Sequence, residues 1–133
     1  MSDTDMKQSQ AVLWHEIYTQ DTEATIKFYT ETLGWTTQVM PMGEMGDYTM
    51  LCWEGKPFCG ICNVNDMNMQ GVPEGWTSYM GVDDVDAVVE KAKAAGGKVL
   101  IEAMDIPTVG RMARLADSQG APFWVIKGDP EQQ

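Results

Sequence analysis

The sequence predicts an α+β fold: two tandem βαβββ units whose strands form a curved eight-strand mixed sheet around a cleft, with the helices outside. Three observations carry this. The order strand, helix, strand, strand, strand runs through the chain twice. The helical segments "DTEATIKFYTETLG" (21–34) and "DVDAVVEKAKAAGG" (84–97) align residue for residue, and "GKPFCGIC" (55–62) lies over "GAPFWVIK" (120–127). Finally, a single βαβββ unit leaves one sheet face bare and cannot bury it alone, so joining two units is the expected solution.

The elements follow in order. A strand at 11–19 alternates Leu13, His15 and Ile17 on one side with Trp14, Glu16 and Tyr18 on the other. Asp21 is a helix N-cap, Ala24, Phe28 and Leu33 fall near one helix face, and Gly34 is a natural stop. Strands at 36–42, 47–53 and 57–64 are separated by the turns "MGEMGD" and "EGKP". The polar stretch "NDMNMQGVPEG" parts the halves. The order then restarts: strand 76–82, helix capped by Asp84, strand 98–102, a long "AMDIPTVG" loop, strand 110–116, turn "DSQG", strand 121–127. The units cover about 11–65 and 75–128 of one domain, 11–128, with 1–10 read as a flexible segment and 129–133 as a tail. A chain of 133 residues suits one domain with a real core.

Twenty acidic residues against nine basic give a formal charge of −11, which argues against binding to phosphate backbones or anionic lipid. The opening "MSDTDMKQSQ" has neither the basic nor the apolar region of a secretory signal, and no apolar run approaches the ~20 residues of a membrane span. A cytoplasmic protein is expected. Cys52, Cys59 and Cys62 are odd in number, so reduced thiols are expected rather than a disulfide framework. "CGIC" matches C-x-x-C, but in a strand its two cysteines lie about 10 Å apart on opposite faces, beyond the reach of a disulfide.

Five motifs occur together: WHE at 14–16, FYTETLGW at 28–35, MPMG at 40–43, VDDVDA at 82–87 and DIPTVGRMARLADSQGAPF at 105–123. With them the chain, over about 11–127, resembles the vicinal-oxygen-chelate superfamily, which includes glyoxalase I, bleomycin-resistance proteins and extradiol dioxygenases. In the metal enzymes of that superfamily, four inward side chains from the first and last strands of the two units hold one divalent ion. Counting from the helix caps, the resemblance places those positions at Trp14, Thr77, Cys59 and Trp124. Two indoles, a hydroxyl and one thiol do not make a zinc or nickel site, so neither metal nor cofactor is expected.

His15, the only histidine, lies one residue from a ligand position, and one residue reverses the face of a strand. It reads as structural, under the helices, unless a bulge shifts the strand. The same counting places Glu16 in the cleft among Trp14, Tyr79 and Trp124. Burial among aromatic rings would raise its pKa and make it a candidate general acid or base. It could equally anchor a ligand, or be satisfied by a nearby hydroxyl or by Arg111. Met40, Met42 and Met45 are either core filler or a flexible wall at the cleft mouth, and Trp35, Trp53 and Trp76 are assigned to packing or interface.

The expected function is a glyoxalase-like small-molecule binder without a metal, which takes an aromatic or partly apolar ligand between Trp14 and Trp124. Glu16, Cys59, Thr77 and Tyr79 complete that site. The alternatives are a metal-dependent lyase, isomerase or dioxygenase of the superfamily, or a metal-free enzyme using Glu16. A homodimer is expected as the commonest oligomer.

Overall fold

The computed structural model describes residues 12–65, 72–107 and 109–128. The expected N-terminal segment, the C-terminal tail and the methionines of "NDMNMQ" lie outside the described residues. The fold is α+β, with eight strands in a mixed sheet and two α-helices among the described residues. In chain order these are β1 (Val12–Thr19), α1 (Thr22–Leu33), β2 (Thr36–Pro41), a 3-10 turn (Gly43–Met45), β3 (Asp47–Trp53), β4 (Lys56–Asn63), β5 (Gly75–Gly81), α2 (Val85–Ala94), β6 (Lys98–Ile106), β7 (Gly110–Ala116) and β8 (Pro122–Gly128). The described residues divide into two compact units: those within Trp14–Thr77, and those from Ser78 to Gly128 together with Val12 and Leu13.

In the first unit the strands run β2-β3-β4-β1, with β1 parallel to β4 and the other pairs antiparallel. Asp21 caps α1 by accepting a hydrogen bond from Ala24 N at 3.0 Å, and Gly34 closes it at φ 73°, the left-handed conformation that glycine adopts without a Cβ penalty. The face of α1 differs from the expectation: Phe28 and Leu33 are 57% and 54% exposed. Ile26 and Tyr29 instead pack on the buried cluster Ile17, Leu51, Cys59 and Ile61. The inward stripe is Thr22, Thr25, Ile26, Tyr29 and Thr30, all half-buried at helical spacing. Thr25 and Thr30 can sit there because each hydroxyl donates back to a backbone carbonyl, of Asp21 and Ile26, at 2.9 Å.

One irregularity in this unit matters for the site. Leu51 pairs with Cys59 but Cys52 pairs with Pro57, which leaves Phe58 as the extra residue of a β-bulge. Phe58 is thereby free to join the α1 side, where its ring meets Trp35 edge-on at 4.7 Å.

The second unit repeats the pattern as β5-β8-β7-β6, with β5 parallel to β8. Asp84 caps α2 through Ala87 N at 3.0 Å, the counterpart of Asp21 and Ala24. Val85 and Val89 of α2 pack on Ala113, Leu115 and Val125. The stretch read as a long loop after residue 102 is instead the second half of β6, paired with β7 as far as Ile106 opposite Gly110. Register shifts between Val99 and Met104 break its strict alternation, which is why the sequence pattern stops short there.

Candidate functional site

In each unit the helix covers one sheet face, and the expected site residues concern the other. Partners on paired strands project to the same side, so register decides which residues share a face. His15 pairs with Cys59 and Ile17 with Ile61, and these belong to the α1 side. Glu16 pairs with Gly60 and Tyr18 with Cys62, which turns them to the opposite side. Met50 pairs with Gly60 and Met40 with Tyr48, so both join that second face.

Glu16, 7% exposed, is held there by a directed chain of hydrogen bonds. Trp14 Nε1 donates to Tyr48 Oη at 2.9 Å, and Tyr48 Oη donates to Glu16 Oε2 at 2.6 Å. The short second bond is what a charge-assisted hydroxyl–carboxylate contact gives. Gly60 makes room for it: a Cβ at that position would stand 1.6 Å from Tyr48 Oη. Burial and the adjacent Glu16 carboxylate raise the pKa of the Tyr48 hydroxyl well above the usual tyrosine range, so it stays a proton donor. Cys62 is likewise raised by burial and then by Glu16, and is buried as a thiol. Cys59 is pushed up to about 12 by burial first and Glu16 second. Neither cysteine has the electropositive, accessible surroundings of a reactive thiolate.

On the second unit's face opposite α2, Tyr79 pairs with Trp124, and their rings stack with centroids 5.4 Å apart and planes 2° from parallel. The Arg114 guanidinium lies over the Trp124 ring at 5.4 Å from its centroid. All three residues are buried. Thr77, also buried, precedes Tyr79 by two residues on β5 and shares its side of the strand.

The structure therefore joins Trp14 to Glu16 through Tyr48, and Tyr79 to Trp124 by stacking. It does not bring Cys59 to the face of Trp14 and Glu16. The counting that put Trp14 and Cys59 together is corrected by the register, since Cys59 is the partner of His15 and sits in the core under α1. The bulge at Phe58 lies in β4, whereas β1 keeps its register, so His15 stays on the α1 side. Arg111 is not the partner of Glu16: it pairs with Asp86 at 2.9 Å and Asp105 at 3.2 Å, tying the start of α2 to the β6–β7 hairpin. Trp35 and Trp76 pack with Tyr29 and Phe58 on the α1 side, while Trp53 is exposed.

The four positions that the resemblance assigns to a metal do not fit one. Indole nitrogen offers no lone pair, a threonine hydroxyl is a poor ligand, and Cys59 faces the core. Among the described residues no three His, Cys, Asp or Glu side chains converge on a common point. A hollow of about 360 Å³ exists on the first unit between β1 and α1, bounded by Thr19, Asp21, Thr25, Phe28, Tyr29 and Glu74, and none of the expected site residues borders it. Sequence reasoning missed Tyr48, Gly60, Cys62 and Arg114. The pairing "GDYTM" against "CGIC" held the signal for the first three, because a tyrosine diagonal to a glycine on the same face of two paired strands, here two residues from Met50 opposite Gly60, can lay its ring over bare backbone.

A family model described as the N-terminal part of bleomycin resistance-like proteins matches residues 11–51. CFP32 of Mycobacterium tuberculosis, a protein that carries a glyoxylase name, is 39% identical over 127 residues, covering 96% of this chain and 48% of that protein. The anthracycline biosynthesis protein DnrV of Streptomyces peucetius is 34% identical over 128 residues, covering 86% of this chain and 46% of that protein. The chain thus spans about half the length of the curated relatives it matches. Among solved structures, methylmalonyl-CoA epimerase from Mycobacterium tuberculosis superposes with a TM-score of 0.59 at 16% identity, over 94% of this chain and 92% of the other, which is a likeness of fold. The repeated βαβββ units, the matched motifs and these relatives together place the chain in the glyoxalase/bleomycin-resistance, or vicinal-oxygen-chelate, superfamily.

Proposed function

We propose that the chain is a small-molecule-binding member of this superfamily, working without a bound metal, which takes an aromatic or partly apolar ligand on the sheet faces opposite its helices. The observation that carries this reading is the buried chain Trp14–Tyr48–Glu16. A carboxylate and two aromatic donors are spent on a sheet face that no helix of their unit covers, where packing alone would call for aliphatic side chains. The stacked Tyr79 and Trp124 support it from the second unit, since aromatic faces are suited to ring stacking. The name of DnrV, an anthracycline biosynthesis protein, also supports an aromatic ligand for this chain, because anthracyclines are fused-ring aromatic compounds. In this reading Trp14 and Trp124 stack, and Glu16, Thr77 and Tyr79 orient; Cys59 packs.

The test is a tryptophan-fluorescence titration with aromatic compounds on the parent and on Trp124→Ala. Losing one stacking ring should weaken binding by roughly tenfold or more, with an unchanged circular-dichroism spectrum. Equal affinity for every compound that binds would remove Trp124 from the site. A second reading, proton transfer by Glu16, draws on its buried contact with Tyr48. Glu16→Gln would then cost turnover by about 10²–10⁴-fold, whereas a pure binder has no turnover to lose.

A further inference from the structure

We infer that β2 is the edge at which a second copy of this chain docks, the two β2 strands pairing antiparallel so that one sheet continues through both copies.

Among the described residues β2 is hydrogen-bonded to β3 on one side and to no strand on the other. All six of its residues, Thr36–Pro41, are exposed, with Val39 at 53% and Met40 at 43%. Val39 pairs with Thr49, which pairs with Ile61 of the α1 core, so Val39 projects to the α1 side. Met40 pairs with Tyr48 and projects to the opposite side. Apolar side chains thus stand out on both faces of one edge, and the exposed Leu33 and Trp53 lie at its start, Trp53 following the Cys52 that pairs with Thr36.

The internal repeat supplies a comparison. The counterpart strand β6 ends the second unit's sheet and is guarded as a solitary edge is. Lys98, Glu102 and Asp105 are exposed along it, its register shifts twice, and Asp105 is held by Arg111. β2 has none of these protections: it keeps one register with β3 and carries no charge. It lies in the longest uncharged stretch of the chain, 32–43, between Glu31 and Glu44. A chain with a net charge of −11 repels its own copy over most of its surface, so two copies meet at least electrostatic cost on an uncharged strand. Pairing β2 with itself satisfies both free rows of backbone N–H and C=O groups at once.

In an antiparallel pair, opposed residues project to the same side, so a two-fold axis passes through a residue and not between two. The longest overlaps centre on Gln38, with Thr36 opposite the second copy's Met40, or on Val39, with Gln38 opposite it. Either register lays the second copy's Met40 on the Tyr48 side and extends the face proposed for the ligand.

Light scattering and non-reducing electrophoresis of the full chain test this. The parent should give about 30 kDa, twice the 14.8 kDa chain, at micromolar concentration. Val39→Glu should raise the dissociation constant by about tenfold or more and shift the mass toward one chain, with an unchanged circular-dichroism spectrum. Met40→Lys, on the other face of the strand, should act the same way. Leu100→Glu puts the same charge on β6, where Leu100 is 48% exposed, and should leave the mass at about 30 kDa. Of Gln38→Cys and Val39→Cys, the one on the axis faces its own copy at about 4.5–5.5 Å between Cβ atoms and should form an intermolecular disulfide in air, whereas Leu100→Cys should not. A parent that stays at one chain's mass overturns the proposal, as does a dimer that neither Val39→Glu nor Met40→Lys weakens. A dimer dissociated by Leu100→Glu places the interface on the wrong edge. Failure of both Cys variants to cross-link while still dimeric overturns the β2–β2 pairing.

Discussion

Gly60 and Tyr48 set the geometry of Glu16, and their coupling can be measured without any ligand. Replacing Gly60 with Ala places a methyl where the Tyr48 hydroxyl lies, so the ring must move and the Glu16 contact must break. Overpacking of this kind costs about 1–3 kcal/mol, and losing one hydrogen bond to a charged group costs about 1.5–3 kcal/mol. We expect Gly60→Ala to lower stability by at least about 1 kcal/mol in urea denaturation, and Gly60→Ala combined with Tyr48→Phe to be less destabilised than the sum of the two single changes. Glu16 and its face were legible from strand alternation alone, as was His15 on the opposite face. The hydrogen bond from Tyr48 was not, because it comes from 32 residues away, and only the pairing of three strands brings Tyr48 there. Cys59 was misplaced for a related reason. Its face depends on the bulge at Phe58, and one extra residue inverts everything that a count along the chain predicts.

The elements themselves were more readable than their contacts. Both helices begin where the aspartates said they would, and the two caps match in partner and distance. What failed was the orientation of α1, where the large apolar residues Phe28 and Leu33 outweighed a stripe made partly of threonine. The β7–β8 turn offers a test at this scale. Asp117 accepts backbone N–H bonds from Gln119 at 2.8 Å and Ala121 at 3.0 Å, and these bonds, that of Ala121 first, hold its carboxyl below the ordinary aspartate range. A folded-state pKa lower than the unfolded one means stability that is present above the unfolded value and is lost as pH falls through the folded one. Asp117→Asn should therefore lower the denaturation midpoint at neutral pH. The difference from the parent should vanish in acid, once Asp117 is protonated in both states. A difference independent of pH would mean that the charge of Asp117 has no part in holding the turn.

At the scale of the whole molecule, the repeat was legible because both copies keep their caps and their strand order, β2-β3-β4-β1 and β5-β8-β7-β6. The copies nonetheless differ where chemistry would be done: one offers Glu16 with Tyr48 and Trp14, the other Tyr79 stacked on Trp124 beneath Arg114. No helix among the described residues is long and apolar enough to cross a membrane. We propose a homodimer, for which light scattering should give about 30 kDa, twice the 14.8 kDa chain, at micromolar concentration. A mass near that of one chain throughout would contradict it. The central claim, that ligand binds on the faces opposite the helices, is tested most directly by the five tryptophan indole N–H signals of the ¹⁵N-labelled protein. Titration with a neutral aromatic compound such as 2-phenylethanol should shift Trp14 and Trp124 and leave Trp35, Trp53 and Trp76 unmoved. Shifts confined to Trp35 and Trp76 would put the ligand on the α1 side, at the hollow beside Phe28 and Tyr29, and contradict the account.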